Sequence, residues 1–220
     1  MAAEPGKVPA WSRAVGWFLA HGVWNTTVIG RDLVPPSGPV IVAGNHTGVI
    51  DGPVLAGVSP RPLNILVKQE MFSGPLGAVL RASGQIPVDR GNGKESLLVA
   101  RSLLRRGAGV GIFPEGSRGL GQVDDVHGGA TWLAMVTGAP IVPTAILGTR
   151  HEGESVSKVP RPRRRLVVEF GQPFTVTKKP GESGKIALAR GNAELRERLA
   201  DAVARAREKH GVVVPGIESV

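Results

Sequence analysis

Short runs of apolar, largely β-branched residues recur along the chain and constrain its fold more than any other feature. They are Val40-Ile41-Val42-Ala43, Asn64-Ile65-Leu66-Val67, Gln85-Ile86-Pro87-Val88, Val110-Gly111-Ile112-Phe113, Ile141-Val142-Pro143-Thr144-Ala145-Ile146 and Leu166-Val167-Val168-Glu169-Phe170. A run such as Val40 to Ala43, lacking apolar–polar alternation, reads as a strand covered on both faces. Thr27 to Ile29 is a shorter candidate. Between several runs lie helical patterns: Lys94 to Arg105 carries an apolar stripe of Leu97, Leu98, Ala100, Leu103 and Leu104, and Ala130 to Val136 is a second. Lys185 to His210 reads as one or two surface helices, interrupted at Gly191-Asn192. Alternating strands and helices predict an α/β fold with a largely parallel central sheet flanked by helices. With 220 residues, 41% of them hydrophobic, the chain has material for one core and hence one domain.

In such a sheet, polar residues just past the strand C-termini are placed to meet ligands. Asn45-His46 follows Val42, Lys68 follows Val67, Asp89-Arg90 follows Val88, and Pro114-Glu115-Gly116-Ser117-Arg118-Gly119 follows Phe113. Cations recur at these positions, so the chain predicts a convergent site able to hold an anion beside a base.

The base is His46 in Asn45-His46-Thr47-Gly48-Val49-Ile50-Asp51. An imidazole exchanges protons near neutrality, and a nearby carboxylate fixes its tautomer and stabilises the cation. Five positions along a helix would leave the His46 and Asp51 side chains about 140° apart, and an odd spacing in a strand puts them on opposite faces. They meet only if the chain leaves the strand and turns, with Gly48 supplying the backbone freedom.

The formal charge of +9 implies attraction to phosphate, nucleic acid or an acidic lipid surface. Five Phe, four Trp and no Tyr offer little for base stacking, which argues against nucleic acid. The absence of cysteine excludes disulfides and fits a cytoplasmic protein, and no apolar run is long enough to span a bilayer. Residues 1–9 read as a frayed start without secretory-signal features. Ala10 to Trp24 reads as an amphipathic aromatic helix, with Trp11, Val15, Phe18 and Leu19 roughly on one side. It has two readings: a helix lying in a membrane headgroup region, or one packed over the core. Lys158 to Arg165, KVPRPRRR, is a basic loop, either a solvated face or a grip for lipid headgroups or a nucleotide phosphate.

Taken together, NHTGVID, GQIPVDR, FPEGSRG and APIVPTAILG resemble the four ordered blocks of the glycerophospholipid acyltransferases, typified by the bacterial 1-acyl-glycerol-3-phosphate acyltransferases. Lys68-Gln69-Glu70-Met71-Phe72 and Gly74-Pro75-Leu76-Gly77 add to the likeness, which covers about residues 24 to 175. The resemblance implies an N-terminal segment over 1–24 and an acyltransferase domain over 25–220, its blocks at about 40–150. It implies catalytic His46 and Asp51, with Lys68, Arg90, Glu115, Gly116, Ser117 and Arg118 around the phosphorylated acceptor. The activity implied is acyl transfer from acyl-CoA or acyl carrier protein to 1-acyl-sn-glycerol-3-phosphate, or alternatively to glycerol 3-phosphate or another lysophospholipid. It needs no metal or other cofactor, and it runs at the inner, anionic face of the cell membrane, met peripherally. Two departures bear on the acceptor: Gly48 stands where the family often has serine, and Val126-His127-Gly128-Gly129 where it has a lysine-containing turn.

Rival readings are weaker. Ser117 lacks the glycine two positions earlier that a nucleophile elbow needs, Glu115 standing there. His21, His127, His151 and His210 form no recognisable ligand pair. A thioesterase, or a non-catalytic module binding anionic membranes, would differ in transferring no acyl group.

Overall fold

The structure is a computed structural model and describes residues 8–89, 93–116, 127–212 and 215. Seven strands, β1 (Asn25–Ile29), β2 (Val40–Gly44), β3 (Leu63–Lys68), β4 (Ile86–Val88), β5 (Gly109–Ile112), β6 (Ile141–Leu147) and β7 (Arg165–Phe170), form one sheet in the order β1-β7-β6-β2-β5-β3-β4. Every run read as a strand is one. The strands from β6 to β4 pair in parallel, whereas β7 runs antiparallel to β6 and takes β1 alongside in parallel. Leu147 therefore lies opposite Val167, and Arg165 opposite Asn25. The starts of β1 and β7 thus share one edge with the carboxyl ends of the five parallel strands.

Both faces of the sheet are covered, as continuous apolar strands require. Ile41 and Ala43 face a core built with α4 (Gly93–Arg105), α5 (Gly129–Thr137) and α6 (Gly184–His210). Val40 and Val42 face the opposite core, which Val54, Leu55 and Val58 of α2 (Asp51–Val58) and Ala20 close. One further helix, α3 (Gly74–Ala82), joins β3 to β4.

Three sequence expectations change. The aromatic segment is α1 (Ala10–Phe18) followed by a π-helical turn at Leu19–Val23, which ends before Trp24. The C-terminal segment is one helix of 27 residues, with no interruption at Gly191. A Cβ on Gly191 would stand 2.5 Å from Thr131 Cγ2 and 2.6 Å from Val176 Cγ1, so this glycine lets α6 press onto α5. Helix α2 carries no helix signal in its sequence, DGPVLAGV. Pro53 is tolerated because first-turn N–H groups have no intrahelical partner to lose.

The aromatic helix turns its small residues inward and its large ones outward. Gly16 and Ala20 are buried, whereas Trp11, Val15, Trp17 and Phe18 are exposed. Gly16 packs on Gly57 of α2: a Cβ on Gly16 would stand 2.8 Å from Gly57 Cα, and one on Gly57 would land on the Gly16 carbonyl. The segment packs on the core through glycine and alanine and leaves an apolar face outside. Among the described residues no helix is long and apolar enough to cross a membrane.

Gly57→Ala is expected to lower the unfolding free energy in urea by about 1–3 kcal/mol through overpacking. Gly52→Ala is the control, because a Cβ there meets nothing within 4 Å. Equal losses in the two variants would contradict the role given to the Gly16–Gly57 contact.

Candidate active site

The turn between β2 and α2 brings the imidazole and carboxylate together. His46 leaves the carboxyl end of β2, Asp51 opens α2, and His46 Nδ1 lies 2.8 Å from Asp51 Oδ2. The same oxygen accepts the N–H groups of Thr47 at 2.7 Å and Gly48 at 2.8 Å. Three donors on one buried carboxylate oxygen fix both the loop and the ring. Because Oδ2 can only accept, Nδ1 carries the proton, and the neutral ring keeps its lone pair on Nε2, at the far side from Asp51.

Gly48 serves this turn differently from the expectation. It does not take a positive φ, so conformational freedom is not its contribution. A Cβ there would stand 3.1 Å from the Thr149 carbonyl oxygen and 3.3 Å from Thr149 Cβ, so the loop closes against Thr149 because position 48 has no side chain. Thr47 Oγ1 and Thr149 Oγ1 share a hydrogen bond of 2.9 Å across the same contact.

Asn45, fully buried, extends the β2–β6 pairing by one residue with its side chain. Its Oδ1 accepts the Ile146 N–H at 2.7 Å and its Nδ2 donates to the Ile146 carbonyl at 3.0 Å. From the other side, Phe113 stacks on His46 with ring centroids 4.3 Å apart and planes inclined by 21°. The imidazole is thus held at one edge by Asp51 and over one face by Phe113. Its side chain stays 17% exposed.

Glu115 joins the third block to the first: its Oε1 accepts the His46 N–H at 3.1 Å. Through that bond Glu115 holds the His46 backbone as well as belonging to the FPEG turn. Gly116 takes φ +64, a left-handed conformation that favours glycine. A Cβ on it would stand 2.6 Å from His127 Nε2, and the His127 N–H donates to the Pro114 carbonyl at 2.7 Å. His127 therefore sits against the FPEG turn rather than standing alone.

Of the residues expected at the site, His46, Asp51, Glu115 and Gly116 are brought together. Lys68 ends β3 at the same edge of the sheet and is exposed. Arg90, Ser117 and Arg118 lie outside the described residues. Asn45, Thr47, Phe113, His127 and Thr149 complete the neighbourhood without having been singled out as site residues. A buried amide between an apolar strand and a histidine was the one signal available for Asn45. For Thr149 there was none, because its partners come from another strand end.

An imidazole and a carboxylate in contact at the rim of a sheet, at the edge where Lys68 also ends its strand, form an arrangement able to accept a proton. The chain is 30% identical over 150 residues to the 1-acyl-sn-glycerol-3-phosphate acyltransferase of Bacillus subtilis (strain 168), covering 67% of this chain and 72% of that one. It is 34% identical over 132 residues to a Chlamydomonas reinhardtii protein of that name, covering 57% of this chain but only 40% of the longer relative. The crystal structure of the 1-acyl-sn-glycerophosphate acyltransferase from Thermotoga maritima superimposes with a TM-score of 0.69 over 96% of this chain and 80% of that one. At 21% identity that likeness speaks for the fold. The family model described as Acyltransferase matches residues 25–147, more than half of the 220, and the chain belongs to that family.

Proposed function

We propose that the protein transfers a fatty acyl group from a thioester to the free hydroxyl of 1-acyl-sn-glycerol-3-phosphate, giving phosphatidic acid. The observation that carries this reading is the 2.8 Å contact between His46 Nδ1 and Asp51 Oδ2, which leaves Nε2 as the acceptor of the hydroxyl proton. The names of the relatives support the acceptor.

An alcohol attacks a thioester only as its proton is removed. As the acceptor oxygen bonds to the thioester carbon, its proton passes to His46 Nε2, and Asp51 stabilises the resulting imidazolium. When the tetrahedral species collapses the carbon–sulfur bond breaks, and the imidazolium returns the proton to the departing thiolate. The thioester is already activated, so no protein nucleophile is required. Acyl-CoA or acyl carrier protein brings it as a co-substrate, and no other cofactor enters the scheme.

Lys68, Arg90, Ser117 and Arg118 hold the acceptor phosphate in this reading, guanidinium groups suiting two-pronged phosphate binding. The acceptor is an amphiphile, so the enzyme works peripherally at the anionic inner face of the cell membrane. The exposed apolar face of α1 rests in the headgroup region, where indole rings settle. Nucleic acid has no part in it.

Thiol release from several acyl-CoAs against a panel of lysophosphatidic acid, glycerol 3-phosphate and lysophosphatidylcholine, with products identified by mass, tests the reading. Acyl transfer to lysophosphatidic acid is expected, and hydrolysis to free acid regardless of acceptor would contradict it. His46→Ala is expected to lower kcat by roughly 10²–10⁴ with the fold intact by circular dichroism. Asp51→Asn, which removes the carboxylate from Nδ1, is expected to lower kcat by on the order of 10³–10⁴. A folded variant with wild-type turnover would remove either assignment. Arg90→Ala should raise the KM for the acceptor more than that for the acyl donor, and an equal rise in both would count against its phosphate role.

A further inference from the structure

The basic segment between β6 and β7 is built into the fold. Glu154 accepts both terminal nitrogens of Arg164, at 2.6 and 2.8 Å, as well as Lys158 Nζ at 3.0 Å and the His151 N–H at 2.9 Å. The Arg164 guanidinium and the His151 N–H hold the Glu154 carboxyl well below the usual carboxylate range, so this brace persists into acid. It is lost only as the pH falls past that range and the carboxylate takes up a proton.

Beyond the brace, the segment is fastened to the end of the aromatic helix. The Arg163 N–H donates to the Val23 carbonyl at 2.7 Å, Trp24 Nε1 donates to the Pro160 carbonyl at 3.3 Å, and the Asn25 N–H donates to the Arg164 carbonyl at 2.9 Å. Arg163 has φ +63 and is the only non-glycine residue with a positive φ among the described residues. A left-handed backbone is unfavourable for an arginine and persists only where surrounding contacts enforce it.

The result is a division of labour among the arginines. Arg164 is turned inward and neutralised, whereas Arg161, Arg163 and Arg165 are exposed and form no ion pair among the described residues. Val159 is 61% exposed beside them, and Trp17 and Phe18 stand 56% and 57% exposed on the helix to which the segment is fastened. The arginines sit at the edge of the sheet where β2 delivers His46, because Arg165 pairs with Asn25 at the starts of β7 and β1. Thr149, which bonds to Thr47, begins the same segment.

We propose that Arg161, Arg163 and Arg165 form a headgroup-binding surface for anionic phospholipid along the edge of the sheet that carries His46, fastened to the turn that continues α1. The proposal rests on the reading of a membrane-held acceptor and adds which part of the chain senses lipid charge. Guanidinium groups meet phosphate in the headgroup layer while Val159, Trp17 and Phe18 enter the boundary with the acyl chains. A soluble phosphate, such as that of the donor's nucleotide, would have no use for exposed apolar side chains alongside. With the segment lying on the lipid, the edge carrying His46 faces the bilayer.

Flotation of the full chain with phosphatidylcholine vesicles, with and without phosphatidylglycerol, tests this. Replacing Arg161, Arg163 and Arg165 together by glutamine should weaken partitioning onto the phosphatidylglycerol vesicles by on the order of a hundredfold at low salt, about fivefold per arginine. Partitioning onto pure phosphatidylcholine should stay unchanged, as should the thermal midpoint. If the triple variant does not fold, Arg163→Gly removes one charge at a backbone position that suits glycine, and the expected loss is about fivefold. Wild-type partitioning of the folded variant, or equal loss on both vesicle types, overturns the proposal. So does unchanged flotation with a raised KM for acyl-CoA toward a short-chain soluble acceptor, which would assign the arginines to the donor. The flotation needs no turnover, so absence of acyl transfer would overturn the proposed reaction without touching this result.

Discussion

A single carboxylate oxygen organises the candidate site. Asp51 Oδ2 receives the imidazole of His46 and the backbone N–H groups of Thr47 and Gly48, so the contact that sets the tautomer of the base also folds the loop that carries it. Loss of the carboxylate would leave buried N–H groups without an acceptor as well as a free ring. Orientation of the imidazole and local stability are therefore one property at this site.

The remainder of the fold keeps that loop in place. Asn45 continues the β2–β6 pairing with its side chain, Thr149 closes against Gly48, Glu115 holds the His46 backbone, and Phe113 covers the ring. These groups come from the ends of three adjacent strands, β2, β5 and β6. That is the place where an open parallel sheet concentrates function. Asp51 in turn begins α2, whose position depends on α1 through the Gly16–Gly57 contact, so the outward apolar face of α1 and the base share one rigid support.

The strands were legible in the sequence because burial on both faces leaves continuous apolar runs such as Val40 to Ala43. Helix α2 was not, because Gly52, Pro53 and Gly57 are poor helix residues, and the reason for Gly57 is its contact with Gly16 of another helix. The demand that His46 and Asp51 meet across a turn was legible from their spacing alone. The reason for Gly48 was not, since it is a contact with Thr149 from the far end of β6. Gly191 reads like an interruption for the same kind of reason, being a glycine selected by the neighbours it must approach, Thr131 and Val176. Patterns along the chain report burial well, whereas close approaches between distant segments leave only an ambiguous glycine behind.

Proton transfer in the proposed reaction depends on the state of one ring. Long-range proton–nitrogen NMR correlation of the His46 imidazole, in the neutral form of the ring, measures which nitrogen bears the hydrogen. A protonated Nδ1 with a proton shifted downfield by its bond to Asp51, and a bare Nε2, is the expected result. A neutral ring protonated on Nε2, with Nδ1 bare, would contradict it, because such a ring has no lone pair to offer the acceptor hydroxyl.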